Sequence, residues 1–176
     1  MKTNVLYLLV GKSGCGKTTI ADMLLDEYEG TKVVKSVTTR PKRKPDEDDY
    51  YFLTEEEYDK ANLVQHAKFS GYRYGATFDE VEQSSFFVIA PEGIPELYKC
   101  YRRPMIAIYI DTTDEFRKEK MLYRGDTEEA ADRRIKHDNE AFGTIPAYIP
   151  TVVVDGNDTL DNVYDKVNAI VKRFFF

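Results

Sequence analysis

The sequence predicts an α/β fold in which a parallel sheet is flanked by helices. Strand patterns alternate with helix patterns along the 176 residues, as in a chain that crosses back over its sheet after each strand. Two of the strand patterns, residues 85–90 and 105–110, are continuously apolar, which is typical of strands that are buried on both faces. The length suits one domain, and no linker, repeat or low-complexity segment divides it.

Helix-start signals place the helices between the strands. Thr54 and Thr77 are each followed three residues later by glutamate, the spacing of a capping box, and Thr112-Thr113 precede another acidic first turn. Gly30 ends the first helix, and Gly125 interrupts a later one. The predicted helices are residues 17–28, 54–62, a short segment from 77, 112–123, 127–142 and a closing helix around 160–171, with 91–100 helical or irregular. The predicted strands are residues 5–10, 32–37, 50–52, two extended segments in 63–74, 85–90, 105–110 and 151–154.

The most specific motif follows the first strand. Residues 11–18 read GKSGCGKT and fit G-x-x-x-x-G-K-[ST] at every fixed position, between a strand and a helix as this P-loop motif requires. In such a loop the backbone N–H groups enclose a phosphate, the lysine Lys17 reaches the β- and γ-phosphates, and the hydroxyl of Thr18 ligates Mg²⁺. The predicted nucleotide-binding residues are Gly11, Ser13, Gly14, Cys15, Gly16, Lys17, Thr18 and Thr19. A nucleoside triphosphate site on a P-loop NTPase fold is therefore expected.

Composition excludes several other classes of function. The net charge of −6 argues against broad binding to nucleic acid or to an anionic membrane, and no apolar run reaches the length of a membrane span. Two cysteines are too few for a disulfide framework or a metal site. Residues 1–4 lead directly into a strand without a signal peptide or transit segment, so we expect a cytoplasmic location.

Basic and phenolic residues beyond the P-loop favour a kinase over a GTPase or an ATPase. Small kinases need a second anion site and charge-neutralising arginines, whereas the other classes need a water-positioning residue and switch loops. Residues 36–43 place hydroxyls and the guanidiniums of Arg40 and Arg43 on a loop stiffened by proline. Arginine grips two phosphate oxygens at once, which lysine cannot do. Tyr50 and Tyr74 add phenol donors to the same cradle.

Several of these segments resemble the signature of guanylate kinases. They are residues 36–43 (SVTTRPKR), 49–52 (DYYF), 69–75 (FSGYRYG), 124–134, which resemble that family's lid, and 152–155, which resemble its last strand. The resemblance covers nearly the whole chain in the right order. It implies phosphoryl transfer from ATP to a nucleoside monophosphate, GMP or dGMP in this family. It also implies a single domain over residues 1–176, with a core of residues 1–35, 78–123 and 138–176, a small monophosphate-binding insert of residues 36–77 and a lid of residues 124–137.

The resemblance also assigns roles to individual residues. Those that match the holders of the acceptor nucleotide are Ser36, Arg40, Arg43, Tyr50, Gln65, Tyr74 and Thr77. Those that match the groups neutralising the transferred phosphoryl are Lys17, Arg40, Arg124 and Arg134, with Lys120 where the family commonly has another lid arginine. The expected ligands are ATP, Mg²⁺ and a nucleoside monophosphate, on a monomer or homodimer that binds neither nucleic acid nor membrane.

The base-binding half departs from the family pattern. Guanine presents donors at N1 and N2 beside its O6 acceptor, so a carboxylate is its natural partner. The departures are Gln65 where the family has glutamate, Ala76 (with Thr77 next) where it has a serine for O6, and Val88 and Ala90 where it has two aspartates, with Glu92 two residues further on. These changes predict a relaxed or altered base preference, with a deoxynucleotide or a pyrimidine nucleotide among the candidate acceptors. They also leave Thr18 without its usual carboxylate companion for Mg²⁺.

Two alternatives remain open from the sequence. Kinases of ribose 1,5-bisphosphate share this fold and lack the guanine-binding acids, but residues 49–52 and 69–72 follow the nucleotide kinases closely. Guanylate kinase-like domains of scaffold proteins bind phosphopeptides, but they typically have degraded P-loops, whereas Lys17 and Thr18 are intact here. Intact Lys17, Arg40 and Arg124 together favour catalysis.

Overall fold

The computed structural model describes residues 3–69 and 71–174. Its strands are β1 (Leu6–Val10), β2 (Val37–Thr38), β3 (Tyr51–Phe52), β4 (Leu63–Phe69), β5 (Tyr72–Thr77), β6 (Phe86–Val88), β7 (Met105–Asp111) and β8 (Thr151–Asp155). Its helices are α1 (Lys17–Glu27), α2 (Glu55–Lys60), α3 (Phe78–Gln83), α4 (Ile94–Cys100, after a 3₁₀ turn at Pro91–Gly93), α5 (Asp114–Tyr123), α6 (Glu128–Ala141) and α7 (Leu160–Phe174). Ser70, part of the segment that resembles the family signature, lies outside the described residues.

The core sheet has the strand order β6-β1-β7-β8, and every pair in it is parallel. Its central strand β1 carries only buried side chains, as the continuous apolar pattern predicts. At its carboxyl end Val10 pairs with Tyr109 of β7, and Leu9 pairs with Val88 of β6. The segment after Val10 therefore leaves the sheet between the ends of two neighbouring strands, which is where ligands bind in open parallel sheets.

Helices cover both faces of this sheet. On one face α1 contributes Ile20 and Leu24, and α7 contributes Val163 and Val167 to a single apolar cluster. The other face is covered by α3, α4 and the segment leading into β8, through Val81, Ile94, Leu97 and Ile149. Burial of each such side chain contributes about 1.5–3 kcal/mol, so these contacts dominate the stability of the core. The predicted α/β class with a helix-flanked parallel sheet is confirmed.

Residues 37–77 build a second, smaller sheet with the order β3-β2-β5-β4. Here β2 pairs with β3 in parallel, whereas β5 runs antiparallel to both β2 and β4. Val64 and Ala76 from this sheet join the same apolar cluster as Leu8 of the core. Of the residues predicted to hold an acceptor phosphate, Tyr74 lies on β5, Ser36 directly precedes β2, and Arg40, Arg43 and Tyr50 lie between β2 and β3.

One predicted strand is wrong, and one predicted capping box forms only in part. Residues 32–37 do not form a strand up to Val37: only an isolated bridge from Val33 to Phe86 precedes β2. The chain leaves the sheet edge there because the N–H of Lys35 turns to the Glu80 carboxylate, at 3.4 Å. The same carboxylate explains the incomplete capping box, since it accepts from the Tyr51 hydroxyl at 2.9 Å. The predicted capping box at Thr77 therefore makes one of its two hydrogen bonds: the Thr77 side chain accepts from Glu80 N, but the Glu80 carboxylate does not accept from Thr77 N.

The helix starts predicted at threonines are confirmed, including that of α3, which Thr77 caps. Thr54 and Glu57 make both hydrogen bonds of the capping box at the start of α2. Thr113 caps α5 and Thr127 caps α6 through their side-chain oxygens. Among the described residues no helix is long and apolar enough to cross a membrane.

Candidate active site

The P-loop forms the turn from β1 to α1. Gly16 caps α1 in the left-handed region, with φ of +89°, which side chains other than glycine rarely adopt. No side chain caps α1, and its first turn carries no acidic residue. No side chain among the described residues therefore occupies the N–H groups at the start of α1, and they can bind an anion. The helix dipole also favours a negative charge at this end.

The side chains of the loop point to a phosphate ligand as well. The Lys17 ammonium is folded back on the loop, 3.0 Å from the carbonyl oxygen of Lys12 and 3.6 Å from Cys15 Sγ. Cys15 is buried beneath the loop, where a Cβ added to Gly11 would lie 2.5 Å from its sulfur. Within the described residues the exposed hydroxyls of Thr18 and Thr19 make no hydrogen bond. A lysine and two hydroxyls are thus available to a ligand.

The structure brings Arg40, Tyr50 and Tyr74 together on the small sheet. The Arg40 side chain is almost completely buried, with its guanidinium 5.7 Å from the ring centre of Tyr50 and 5.4 Å from that of Phe52. The rings of Tyr50 and Tyr74 meet edge to face at 5.7 Å. Burial raises the pKa of the Tyr50 phenol, so it remains a hydrogen-bond donor at neutral pH.

A carboxylate that the sequence analysis did not assign, Glu47, holds Arg40. Its oxygens lie 2.6 Å and 3.3 Å from the two terminal nitrogens of Arg40, and it also accepts from the N–H of Arg43 at 2.6 Å. The Arg40 Nε is buried and finds no partner among the described residues. Arg40 therefore retains a donor for an incoming acceptor oxygen. The remaining predicted members of the cradle are peripheral: the Arg43 side chain is exposed, and Ser36 is half-buried beside β3.

The contact between Arg40 and Glu47 predicts an acid-sensitive stability. Hydrogen bonds from Arg40 and from the Arg43 backbone lower the pKa of the Glu47 carboxyl to about 2, below its value of 4.5 without partners. A lowered pKa gives stability that is present above pH 4.5 and is lost as the pH falls towards 2. The Glu47→Gln variant is expected to unfold at lower urea concentration than the wild type at pH 6, and this difference should shrink steadily below pH 4.5. The control is Glu119→Gln, at an exposed carboxylate, and a pH-independent difference for Glu47→Gln contradicts the prediction.

The two arginines of the predicted lid share one carboxylate. Asp126 lies 2.6 Å from Arg124 Nη2 and 3.2 Å from Arg134 Nη1, and the hydrogen bond from Arg124 lowers the pKa of Asp126. No hydrogen bond or ion pair between described residues joins either lid arginine to Arg40 or to Lys17. The predicted catalytic residues therefore lie on separate parts of the chain: Lys17 on the P-loop, Arg40 on the loop after β2, Arg124 at the end of α5 and Arg134 in the middle of α6.

The position predicted to recognise the base holds a carboxamide without a side-chain hydrogen bond among the described residues. Gln65 on β4 is 7% exposed, pairs across the sheet with Ala76, and makes no side-chain hydrogen bond among the described residues. Its amide nitrogen lies 2.7 Å from where a Cβ of Gly93 would be, so only glycine at position 93 leaves space for this side chain.

The two other polar residues considered near the base are engaged elsewhere. The Thr77 hydroxyl caps α3 by accepting from Glu80 N at 3.3 Å, and the Glu92 carboxylate accepts from Gly143 N.

A metal site built from protein carboxylates is absent from the described part of the chain, where no group of three or more His, Cys, Asp or Glu side chains could hold an ion. Val88 and Ala90, at the carboxyl end of β6, supply no ligand atom in their side chains. The exposed Thr18 hydroxyl is the group on the loop that fits Mg²⁺. Such a donor set suits this ion, which keeps several waters and binds mainly through substrate phosphates.

Sequence reasoning missed a buried arginine beneath the loop. Arg117 has no exposed surface, contacts Asp138 and Asp114, and donates to the Ser13 carbonyl oxygen at 3.1 Å. The sequence feature that could have indicated its burial is the spacing from Met121, four residues later, which places both residues on the same, buried face of α5.

Cavities of about 560 Å³ and 290 Å³ lie around Tyr101, Arg102 and Arg103, which precede β7. They border the amino-terminal ends of the core strands, opposite the P-loop, and the exposed Cys100 lines the larger one. No residue of the loop or of the Arg40 cradle lines either cavity.

The sequence model of the guanylate kinase family matches residues 3–174. The chain belongs to the guanylate kinase family. Guanylate kinases of Anaplasma phagocytophilum and Thermotoga maritima are 29% and 28% identical, covering 96% and 95% of this chain and 86% of each relative. One from Prochlorococcus marinus is 31% identical over 76% of this chain and 80% of its own length. The crystal structure of guanylate kinase from Anaplasma phagocytophilum superimposes with a TM-score of 0.59 at 23% identity, over all of this chain and 88% of that one, which supports the fold.

Membership of the guanylate kinase family confirms two predictions made from the sequence. The chain is an enzyme of the nucleoside monophosphate kinase class, and its P-loop stands in a nucleotide-binding fold. The roles of the individual site residues and the identity of the acceptor base remain predictions.

Proposed function

We propose that this chain transfers a phosphoryl group from ATP to a nucleoside monophosphate, with GMP and dGMP among the acceptors and with a base preference relaxed at Gln65. The observation that carries this proposal is the pairing of an uncapped P-loop with a separate, buried guanidinium cradle around Arg40. A donor site and an acceptor site for phosphate are what a monophosphate kinase needs.

The donor half is the P-loop and the start of α1. ATP phosphates would bind to the free N–H groups of the loop, with Lys17 moving from the Lys12 carbonyl to the β- and γ-phosphates. Mg²⁺ would be held by the Thr18 hydroxyl and by the phosphates of ATP, and it would supply positive charge that partly neutralises them. Gly14, Cys15, Gly16 and Thr19 complete the proposed contacts to ATP. Ser13, also predicted to bind ATP, has its N–H and hydroxyl bound to Asp138 and is left out of these contacts.

The acceptor half is the cradle on the small sheet. Arg40 donates from its unpaired Nε and, on exchanging Glu47 for phosphate, from its terminal nitrogens as well. The Tyr50 and Tyr74 phenols, Arg43 and the Ser36 hydroxyl supply the remaining donors. Since little covalent work falls to the protein in phosphoryl transfer, holding the acceptor in line with the γ-phosphate is its main task.

The lid supplies the remaining positive charge. Arg124 and Arg134 both contact Asp126 in this structure, so their guanidiniums are held close together in the absence of nucleotide. On closure of the lid they would exchange that carboxylate for the phosphoryl oxygens. Such charges act most strongly once water is excluded, because the local dielectric constant falls.

Gln65 sets the base preference in this proposal. A carboxamide offers one acceptor and one donor, whereas a carboxylate offers acceptors to both guanine donors at N1 and N2. Adenine, cytosine and uracil each present a neighbouring donor and acceptor that a carboxamide satisfies as well as it satisfies guanine N1–H and O6. Neither Ala76 nor Ala90 has a polar side-chain atom that would restore selectivity. Discrimination between bases is therefore expected to be weak.

The decisive experiment measures ADP release with Mg·ATP across ribo- and deoxynucleoside monophosphates of all bases and ribose 1,5-bisphosphate. Turnover of several nucleotides with kcat/KM values within about 100-fold of one another is the expected result. Strong preference for GMP alone contradicts the relaxed base preference. Turnover of ribose 1,5-bisphosphate alone, or of no acceptor with retained phosphopeptide binding, contradicts the proposed reaction.

A single substitution tests the role of Gln65. The Gln65→Glu variant is expected to raise kcat/KM for GMP by about 10- to 100-fold relative to that for AMP, because a charged acceptor strengthens the hydrogen bonds from both guanine donors. The matched control is Gln83→Glu, at an exposed glutamine at the end of α3. An unchanged ratio of GMP to AMP turnover in Gln65→Glu removes this residue from base recognition.

A further inference from the structure

The buried guanidinium of Arg117 has no role in the transfer described above. Its Nη1 donates to Asp138 Oδ2 at 2.9 Å and to the Ser13 carbonyl oxygen at 3.1 Å, and its Nη2 donates to Asp114 Oδ1 at 2.6 Å. A buried charge is tolerated only where partners of opposite charge satisfy it. Two carboxylates and a carbonyl do so here, and the carbonyl belongs to the P-loop.

Asp138 of α6 holds the same P-loop residue from the other side. Its Oδ2 accepts from Ser13 N at 2.7 Å and its Oδ1 accepts from the Ser13 hydroxyl at 3.2 Å, while its side chain is 14% exposed. The next residue of α6, Asn139, accepts from Lys12 Nζ at 2.7 Å. Two consecutive residues of α6 therefore bind two consecutive residues of the loop.

This contact leaves the phosphate-facing part of the loop available. Asp138 is neutralised by Arg117, so it adds little repulsion towards a bound phosphate. Within the described residues, the N–H groups of Gly14, Gly16 and Lys17 make no backbone hydrogen bond. The anchor and a bound ATP can therefore coexist.

The anchor also fixes the position of a lid arginine. Arg134 lies four residues before Asp138, and residues at this spacing share one face of a helix about 6 Å apart along its axis. α6 runs without interruption from Glu128 to Ala141, through both residues. Whatever holds Asp138 to Ser13 therefore sets how far Arg134 stands from the loop.

We propose that Arg117 and Asp138 are positioning residues, which tether Ser13 to α6 and thereby set the distance between Arg134 and the phosphates of ATP. The tether is the fixed end about which α6 turns when the lid closes. This inference rests on the proposed function in one respect, namely that Arg134 neutralises the transferred phosphoryl group.

Steady-state kinetics test the tether. The Asp138→Ala variant and the double variant Arg117→Met/Asp138→Ala, which removes both buried charges, are expected to lower kcat by about 10- to 100-fold with little change in KM for the nucleoside monophosphate. The double variant keeps the test valid if the unpaired Arg117 of the single variant prevents folding. The control is Glu140→Ala, on the same helix with a side chain that is 66% exposed, and it should match the wild type. Wild-type kcat in the double variant overturns the proposal.

A double-mutant cycle separates positioning from mere support of the fold. If Asp138 acts by placing Arg134, its removal should matter little once Arg134 is absent. The fold-loss in kcat caused by Asp138→Ala is therefore expected to be at least ten times smaller in the Arg134→Ala variant than in the wild type. Additive losses overturn the proposal. An Arg134→Ala variant with wild-type kcat instead refutes the proposed role of Arg134 and removes the kinetic basis of the tether.

Amide hydrogen exchange gives a readout that is independent of turnover. The Ser13 amide is expected to exchange at least tenfold faster in the double variant than in the wild type and in Glu140→Ala, because it loses its acceptor. Unchanged exchange shows that Asp138 does not hold the loop in solution and overturns the tether, whatever the fate of the proposed reaction.

Discussion

The Lys17→Met variant is expected to lose about 1000-fold in kcat, the largest loss from any single change in the P-loop. The ammonium of Lys17 pairs with no carboxylate among the described residues, and its contacts are the Lys12 carbonyl and the Cys15 sulfur. Removing a charge aimed at the developing negative charge of the transition state typically costs 100- to 1000-fold in rate. The measurement is ADP release at saturating Mg·ATP and acceptor.

Folding should be almost unaffected by this change. Methionine keeps the length of the aliphatic stem, and the hydrogen bond lost to Lys12 is worth about 1 kcal/mol, which shifts a melting temperature by about 2–4 °C in a chain of this size. Lys172→Met, at an exposed lysine of α7, serves as the control for loss of a surface charge. A Lys17→Met enzyme with kcat within tenfold of the wild type would exclude Lys17 from the transfer step.

The Arg40→Ala variant is expected to lose about 1000-fold in kcat/KM for the acceptor. Arg40 is the only arginine of the cradle that the structure buries, and its guanidinium stands at the meeting point of the Tyr50 and Phe52 rings. An arginine that neutralises a transferring phosphoryl group supplies about 1000- to 100,000-fold in rate. Arg40→Lys should recover only part of the loss, because lysine cannot make the two parallel hydrogen bonds.

Arg73 provides the matched control for this substitution. It belongs to the same small sheet, pairs with Glu55 and Asp59 at 3.0 Å and 2.7 Å, and lies over the Tyr58 ring, with its polar contacts on a surface that the proposed site does not use. Arg73→Lys is expected to retain the wild-type kcat/KM. Equal losses in Arg40→Lys and Arg73→Lys would show that the small sheet is sensitive to the loss of any guanidinium, and would remove Arg40 from its assigned role.

Local features of this protein were predictable because short-range sequence determines them. The P-loop depends on glycines and a lysine at set spacings, and the strand, turn and helix around residues 5–27 appear where the motif requires them. Thr54 and Glu57 close their capping box because both partners lie within one helical turn. The order of strands and helices follows from the same kind of local pattern.

Partners chosen by tertiary contact were not predictable in the same way. Glu47 stands in a run of four acidic residues, and nothing in that run distinguishes the one that binds Arg40 from its neighbours. Glu80 reads as half of a capping box, yet it binds Tyr51, 29 positions away. Arg117 and Asp138 lie 21 positions apart on two highly charged helices, where a buried ion pair looks like any two surface charges.

The unequal burial of the two cysteines allows the proposed closure of residues 124–137 to be followed directly. Cys15 is enclosed beneath the P-loop, whereas Cys100 is exposed at the far end of the core sheet. A maleimide fluorophore would therefore label Cys100 and spare the nucleotide site. Glu129, which is exposed on α6 within residues 124–137, offers the position for a second, introduced thiol. Energy transfer between dyes at these two positions would report lid closure in single molecules during turnover.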